Sequence, residues 1–335
     1  MTEKKVKIQY LEALRIIACL MVIFNHTHES GYLRYAITDI HTAEWIWVTF
    51  LSAACKAGVP IFFMISGAVL IGKRETISKT FSRTRRMFVC LFVWSLFSLY
   101  LAYPGFSFTS ALKQIIYEPF WHLWFLYAYI VFLFTLPLIR RLGQNINSEE
   151  FYLMTVICII FSGFLPMIDT FIIKVWSDWI PNWVMANIFI YPILGYCIEK
   201  KAKISQITGR ILIIMWIFNI AIFAASEICA HKFLELNPGD KNEKFLITTV
   251  FTNSISIFVT IKYIFNKLKL VKVKKIVLKL GDLVMGIYFL HLVSQWKIIE
   301  SFGQINVYLL VILIFVFTAV AVYFLKKIPI IKYLL

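Results

Sequence analysis

Two side chains able to move a proton or hold an anion, Arg15 and His26, sit inside the apolar stretch Tyr10–His28, YLEALRIIACLMVIFNHTH. Read as a helix, their eleven-residue separation at ~100° per residue is roughly 1100°, three full turns plus about 20°, so both fall on one face, about 16 Å apart along the axis. That spacing lines a wall and makes no direct contact. A cation in hydrocarbon costs roughly 2.5 to 3.5 kcal/mol, which makes an intramembrane ionisable stripe a functional hypothesis by default. Glu12, one turn before Arg15, supplies the structural alternative, an ion pair along the helix beside a packed histidine. As chemistry, a neutral imidazole suits general-base work, and a planar guanidinium suits holding oxygens at two points.

The elements that must position these groups are membrane helices. Hydrophobic residues make up 60% of the 335, charged ones 16%, and the mean hydropathy is +0.79, beyond the apolar content of soluble domains. The apolar segments run at about 11–27, 45–71, 87–103, 119–139, 151–168, 184–198, 211–229, 245–265, 281–298 and 306–325. The expected fold is all-α: one polytopic bundle of about ten transmembrane helices filling residues 1–335, in the cell membrane, with both termini cytoplasmic and no extra soluble domain.

Charge distribution agrees with that topology. The basic runs at Lys4–Lys7, Lys73–Arg86, Arg140–Arg141, Lys200–Arg210, Lys262–Lys279 and Lys326–Lys332 all fall in the loops assigned to the cytoplasm, whereas the outer side receives only scattered cations. The excess of 34 Lys+Arg over 18 Asp+Glu therefore reads as orientation, not as a nucleic-acid surface. The six cysteines stand singly in apolar segments without CxxC or Cys/His spacing, which excludes a sequence-evident metal or disulfide framework. The short basic lead before Tyr10 has no small-residue cleavage site, so the first helix is expected to stay.

Further polar groups interrupt the apolar runs. In the second segment Lys56, Gly58 and Pro60 predict a kink or break, because proline removes a backbone donor and disfavours helix at Val59. Such irregularity at membrane depth lines water or is buried in protein, so Lys56 either faces a cavity or snorkels outward. Gly67 is expected to allow close helix packing. Arg83, Arg85 and Arg86 crowd the start of the third segment, as a topology signal, an anionic-lipid contact or a phosphate site. The fourth segment opens Glu118-Pro119-Phe120-Trp121-His122-Leu123-Trp124: its aromatics, Trp124 included, form an interfacial belt, and Glu118 and His122, one turn apart, make an outer-side polar pair facing the region of His26. His291, deep in MGIYFLHLV, could reach the cavity or simply satisfy a backbone carbonyl, and the second is the expected role.

Leu14-Arg15 with His26, VPIFFMISG from Val59 to Gly67, the arginine cluster of the third helix, HLWFLY from His122 to Tyr127 and GIYFLH from Gly286 to His291 occur in this order. The array resembles the acyltransferase family 3 membrane O-acyltransferases over nearly the whole chain, and within it looks most like the enterobacterial common antigen O-acetyltransferase branch. The resemblance implies transfer of an acyl group, commonly acetyl from acetyl-CoA, to a hydroxyl of a cell-surface or lipid-linked glycan. It implies His26 and Arg15 as the essential pair; imidazole chemistry suits His26 to a general base or, second, to an acyl-imidazole relay. Arg83 and Arg86, with Arg85 between, would engage the coenzyme, while Glu12, Lys56, His122, Trp124 and Glu118 support the site. No metal is implied. Membrane lipid, acyl-CoA and the saccharide acceptor are the expected partners. Glu227 is a candidate for a late glutamate found in some relatives. The alternative function is a secondary transporter or glycan exporter using an intramembrane Arg/His path, a class in which paired broken helices recur.

Overall fold

The computed structural model describes residues 8–102 apart from 40, residues 107, 109–110 and 113, then 121–160, 189–201, 209–234, 249–303 apart from 270, and 305–335. The described residues form helices joined by turns, in the order α1 Gln9–Asn25, α2 Ala43–Cys55, α3 Gly58–Leu70, α4 Ile77–Ala102, α5 Trp124–Asn145, α6 Ser148–Ile159, α7 Tyr191–Lys200, α8 Gly209–Leu234, α9 Val250–Lys267, α10 Val271–Gly281, α11 Val284–Phe302, α12 Val307–Leu325 and α13 Pro329–Leu334. Each of the ten apolar segments read from the sequence contains a helix. The segments at 87–103, 119–139, 151–168, 184–198 and 245–265 lie partly outside the described residues, and Glu118 lies outside them.

Several helix starts are fixed by side chains. Thr42 accepts from the backbone N–H of Trp45 at α2, Asn147 and Glu150 form a reciprocal capping box at α6, and Asn306 accepts from Tyr308 and Leu309 at α12. Each satisfies N–H groups that a helix N-terminus leaves without an internal acceptor. The break expected near Pro60 is present at Lys56 and Ala57, between α2 and α3. Pro60 falls in the first turn of α3, where its missing N–H removes nothing from the ladder.

Length and composition qualify four stretches among the described residues to cross a membrane: Ala43–Leu70, which spans the break, Ile77–Leu101, Trp124–Asn145 and Val307–Leu325. A fifth is added if α10 and α11, bent by 66° at their junction, count as one span. Helix α1, at 17 residues with Glu12 and Arg15 inside it, is shorter and more polar. It borders α2, α3, α9, α10, α11 and α12. Outward faces are apolar instead: Ile312, Val316, Phe317 and Val320 on α12 and Phe88, Phe92 and Phe97 on α4 stand exposed, a surface suited to lipid. The molecule is a membrane helical protein.

Close backbone approach locks its centre. A Cβ on Gly67 of α3 would meet Pro192 O at 1.9 Å, and one on Gly195 of α7 would meet Met64 O at 2.0 Å. Neither position tolerates a side chain unless α3 and α7 separate, so the packing role read for Gly67 holds. Similarly Gly58 lies against Ala18 O of α1 at 3.0 Å for the same construction, which brings the broken helix onto the organising one.

The contacts sort the connections into two groups. At one end Arg140 reaches Leu70 O, Gln144 reaches Ile71 O, Lys262 reaches Ile198 O, and Arg86 reaches Tyr333 O. At the other, Ser52 reaches Tyr32 O and Trp47 reaches the Tyr308 hydroxyl. Among the described residues, each of these contacts joins positions that the charge pattern assigns to the same side.

Candidate active site

Helix α1 ends at Asn25, and His26 is its C-cap, with its backbone N–H on Ile23 O at 3.1 Å. The chain then turns sharply. Thr27 Oγ1 donates to Phe24 O at 2.7 Å and accepts from Tyr32 N at 3.2 Å, and His28 takes a left-handed φ of 48°, an angle histidine tolerates better than branched residues. Gly31 is held so tightly that a Cβ would lie 2.2 Å from Thr27 Oγ1 and 2.6 Å from Val307 Cγ2. The turn fixes where the His26 ring emerges.

That ring is 9% exposed and meets His291 of α11, which is 0% exposed. His26 Nδ1 and His291 Nε2 are 2.6 Å apart, with the rings near parallel and their centres 4.8 Å apart. His291 Nδ1 lies 2.7 Å from Tyr288 O. The sequence reading of His291 as a histidine satisfying a carbonyl is therefore half of its role; its other nitrogen makes it the direct partner of His26. Two more side chains on the same face of α11, at the i, i+3 and i+7 positions of a helix stripe, complete the brace. Tyr288 donates its hydroxyl to His122 O, and Gln295 Nε2 donates to His26 O at 3.0 Å.

His122 is buried in the short turn before α5, its ring edge-on to His291 with centres 6.2 Å apart. It lies beside His291, whereas Glu118, read with it as an outer-side polar pair, lies outside the described residues. Trp124, the first residue of α5, is partly buried against the core. Asn25 Nδ2 donates to Cys55 O at 3.1 Å, so a carbonyl freed by the break between α2 and α3 is satisfied from the residue next to His26. Lys56, in that break, sits over the Tyr32 ring at 5.5 Å. Among the described residues no group of three His, Cys, Asp or Glu side chains could hold a metal ion.

Arg15 lies lower on α1 and pairs with Glu12 at 2.7 Å, its own side chain 33% exposed and that of Glu12 buried. Glu12 fills the space over Gly281, where a Cβ would come within 2.3 Å of its Oε2. Both readings of Arg15 survive this geometry: it is ion-paired along the helix, and it keeps an accessible edge.

The arginines of α4 do not stand together as one open cluster. Arg83 forks onto Glu75, with its Nη2 on Oε1 at 2.6 Å, and Arg140 reaches the other oxygen of Glu75 at 2.7 Å. Glu75 lies in the connection between α3 and α4. The Arg83 hydrogen bonds, with those of Arg140, hold its carboxyl down at about 2 against the opposing effect of burial. Arg86 donates Nε to Tyr333 O at 3.0 Å and rests 5.4 Å from the Tyr333 ring centre, while Arg85 is exposed. Arg83 is therefore committed to a carboxylate, and the edges open to an anionic ligand belong to Arg85 and Arg86.

Sequence reasoning missed Tyr288 and Gln295. Their signal was spacing: with His291 they stand at i, i+3 and i+7 on one face of α11. The side chain of Glu227 lies outside the described residues.

Comparison with known proteins gives one positive result: the acyltransferase 3 family model, described as an acyltransferase domain, matches residues 8–326. No curated protein and no solved structure matches the chain. A match over nearly the whole length, on a helical bundle with apolar outer faces, shows that the chain belongs to this acyltransferase family and is a membrane acyltransferase.

Proposed function

We propose that this protein is a multi-pass O-acyltransferase of the cell membrane. It takes an acyl group, acetyl in the first instance, from acyl-CoA on the cytoplasmic side and delivers it to a hydroxyl of a cell-surface or lipid-linked glycan, of the kind represented by enterobacterial common antigen. The reading rests on one observation above others: the buried His26–His291 pair at the end of α1 away from the ion-paired basic loops. In this reading the chain crosses the membrane about ten times, with both termini and the basic end in the cytoplasm. Acyl-CoA is made inside and surface glycans are finished outside, so donor and acceptor approach from opposite ends.

At the inner end Arg85 and the free edge of Arg86 meet the phosphates of the donor. Its pantetheine arm then rises along α1 past the accessible edge of Arg15. At the far end His26 takes the proton of the acceptor hydroxyl as that oxygen attacks the thioester carbonyl. The new C–O bond forms, the C–S bond breaks, and the proton returns from the imidazolium to the departing thiolate. A positioned general base contributes about 10² to 10⁴ in rate.

The test is transfer of labelled acetyl from acetyl-CoA by the purified full chain in nanodiscs, with lipid-linked saccharide as acceptor. Wild type should release CoA and label the acceptor, and His26→Ala should do neither while remaining folded and inserted. Transfer by His26→Ala within a few fold of wild type would remove the base role, and a wild type inert toward every acyl-CoA would remove the donor assignment.

A further inference from the structure

The contact between His26 and His291 determines where the protons lie. Two ring nitrogens 2.6 Å apart are joined by one proton, and the second nitrogen of His291 settles which ring owns it. That nitrogen, Nδ1, faces the carbonyl of Tyr288 at 2.7 Å. A carbonyl only accepts, so His291 Nδ1 is the protonated nitrogen. His291 is 0% exposed, with its neighbour rings and backbone around it, and burial favours the neutral imidazole over the cation. A neutral ring protonated at Nδ1 has a bare Nε2. The shared proton consequently sits on His26 Nδ1, and His26 carries its lone pair on Nε2, the nitrogen turned away from His291.

We infer that His291 is a positioning residue that locks His26 in the Nδ1–H tautomer and so presents Nε2 as the basic nitrogen. The chain of contacts is complete from backbone to base: Tyr288 O orients His291 Nδ1–H, and His291 Nε2 orients His26 Nδ1–H. Gln295 Nε2 holds the His26 carbonyl from the same helix, so the ring and its backbone are both referred to α11. This is the logic by which a hydrogen bond at one imidazole nitrogen selects the function of the other. A free histidine favours the opposite tautomer, with the proton on Nε2. Without His291 that nitrogen would therefore present an N–H to the acceptor in place of a lone pair. The value of the tautomer for catalysis rests on His26 being the base, whereas the tautomer itself does not.

Nuclear magnetic resonance of the full chain in nanodiscs, with histidines labelled by 15N and His26 assigned by its loss in His26→Gln, reads the proton positions without any substrate. Wild type should show a protonated Nδ1 and a bare Nε2 at His26. His291→Phe, which keeps a flat ring but removes the acceptor, should move the proton to Nε2. In transfer assays it should lower kcat by more than ten-fold with little change in the KM for acetyl-CoA. His291→Gln, whose side-chain oxygen can accept from His26 Nδ1–H, should restore the wild-type tautomer and most of the rate. A wild-type His26 protonated at Nε2, or a spectrum unchanged in His291→Phe, would overturn the inference. The wild-type spectrum alone decides if the phenylalanine variant fails to fold. An inactive wild type showing the expected spectrum would overturn the proposed function and leave this inference standing.

Discussion

At one end of the bundle Glu75 joins Arg83 and Arg140, and Glu199 joins Lys262 at 2.9 Å. At the other end, the described contacts of His26, His291 and His122 are imidazole, phenol, amide and backbone carbonyl. The first arrangement cancels charges that would be costly to bury, and its cross-links tie connections together: Lys262 also holds Ile198 O, and Arg140 also holds Leu70 O. The second holds its rings in one orientation through hydrogen bonds, His26 on His291 and His291 on the Tyr288 carbonyl. The difference teaches that Arg83, Arg140 and Lys262 belong to architecture, while the candidate chemistry sits among histidines held by hydrogen bonds.

The largest effect expected from breaking this contrast is on stability, at the charged end. Glu75→Gln leaves Arg140 and Arg83 without their shared carboxylate. Removing one partner of a buried pair costs about 3 to 5 kcal/mol, which calorimetry or denaturant titration in detergent should register as a clear drop. The pH dependence sharpens the assignment. With the Glu75 carboxyl lowered to about 2, its contribution is fully present above the ordinary carboxylate range and is lost as pH falls through about 2. The stability difference between wild type and Glu75→Gln should hold constant from pH 9 to 5 and shrink below that. A difference growing toward low pH would contradict the pairing.

Arg15 tests the border between the two regions. If it served only to balance Glu12, lysine would suffice. A planar fork that orients donor atoms is not replaced by an ammonium, and a misplacement of about 1 Å can cost up to about 10²-fold. Arg15→Lys should therefore keep expression and thermal stability and lose at least about ten-fold in transfer. Wild-type rates in that variant would return Arg15 to the purely structural group.

The smallest effect is expected from the open arginines. Arg85→Ala with Arg86→Ala should raise the KM for acetyl-CoA a few fold while leaving kcat nearly unchanged, the signature of a contact made equally in ground and transition states. Donor titration against CoA and dephospho-CoA would show whether phosphates are what these residues read.

How much of this was legible in the chain differs by the range of the interaction. Arg15 with Glu12 followed from helix period, because i and i+3 side chains are neighbours, and the break at Lys56 and Ala57 followed from Pro60 and Gly58. Gly67 was read as a packing position, though not that Pro192 would face it. The His26–His291 contact joins residues 265 apart, and no local pattern encodes which distant helix supplies a partner. The pairing of Arg83 was hidden for a related reason: its carboxylate, eight residues earlier, lies in a connection whose path has no period to read.

The most direct measurement places the two ends side by side: transfer per folded molecule and melting temperature for His26→Ala and Glu75→Gln in the same nanodisc preparation. A separated pattern is expected. His26→Ala should melt close to wild type and lose about 10² to 10⁴ in rate, whereas Glu75→Gln should melt well below wild type and retain its rate per folded molecule. If His26→Ala kept its rate, or if Glu75→Gln lost its rate at a temperature where it remains folded, the division between a structural charged end and a catalytic histidine end would be wrong.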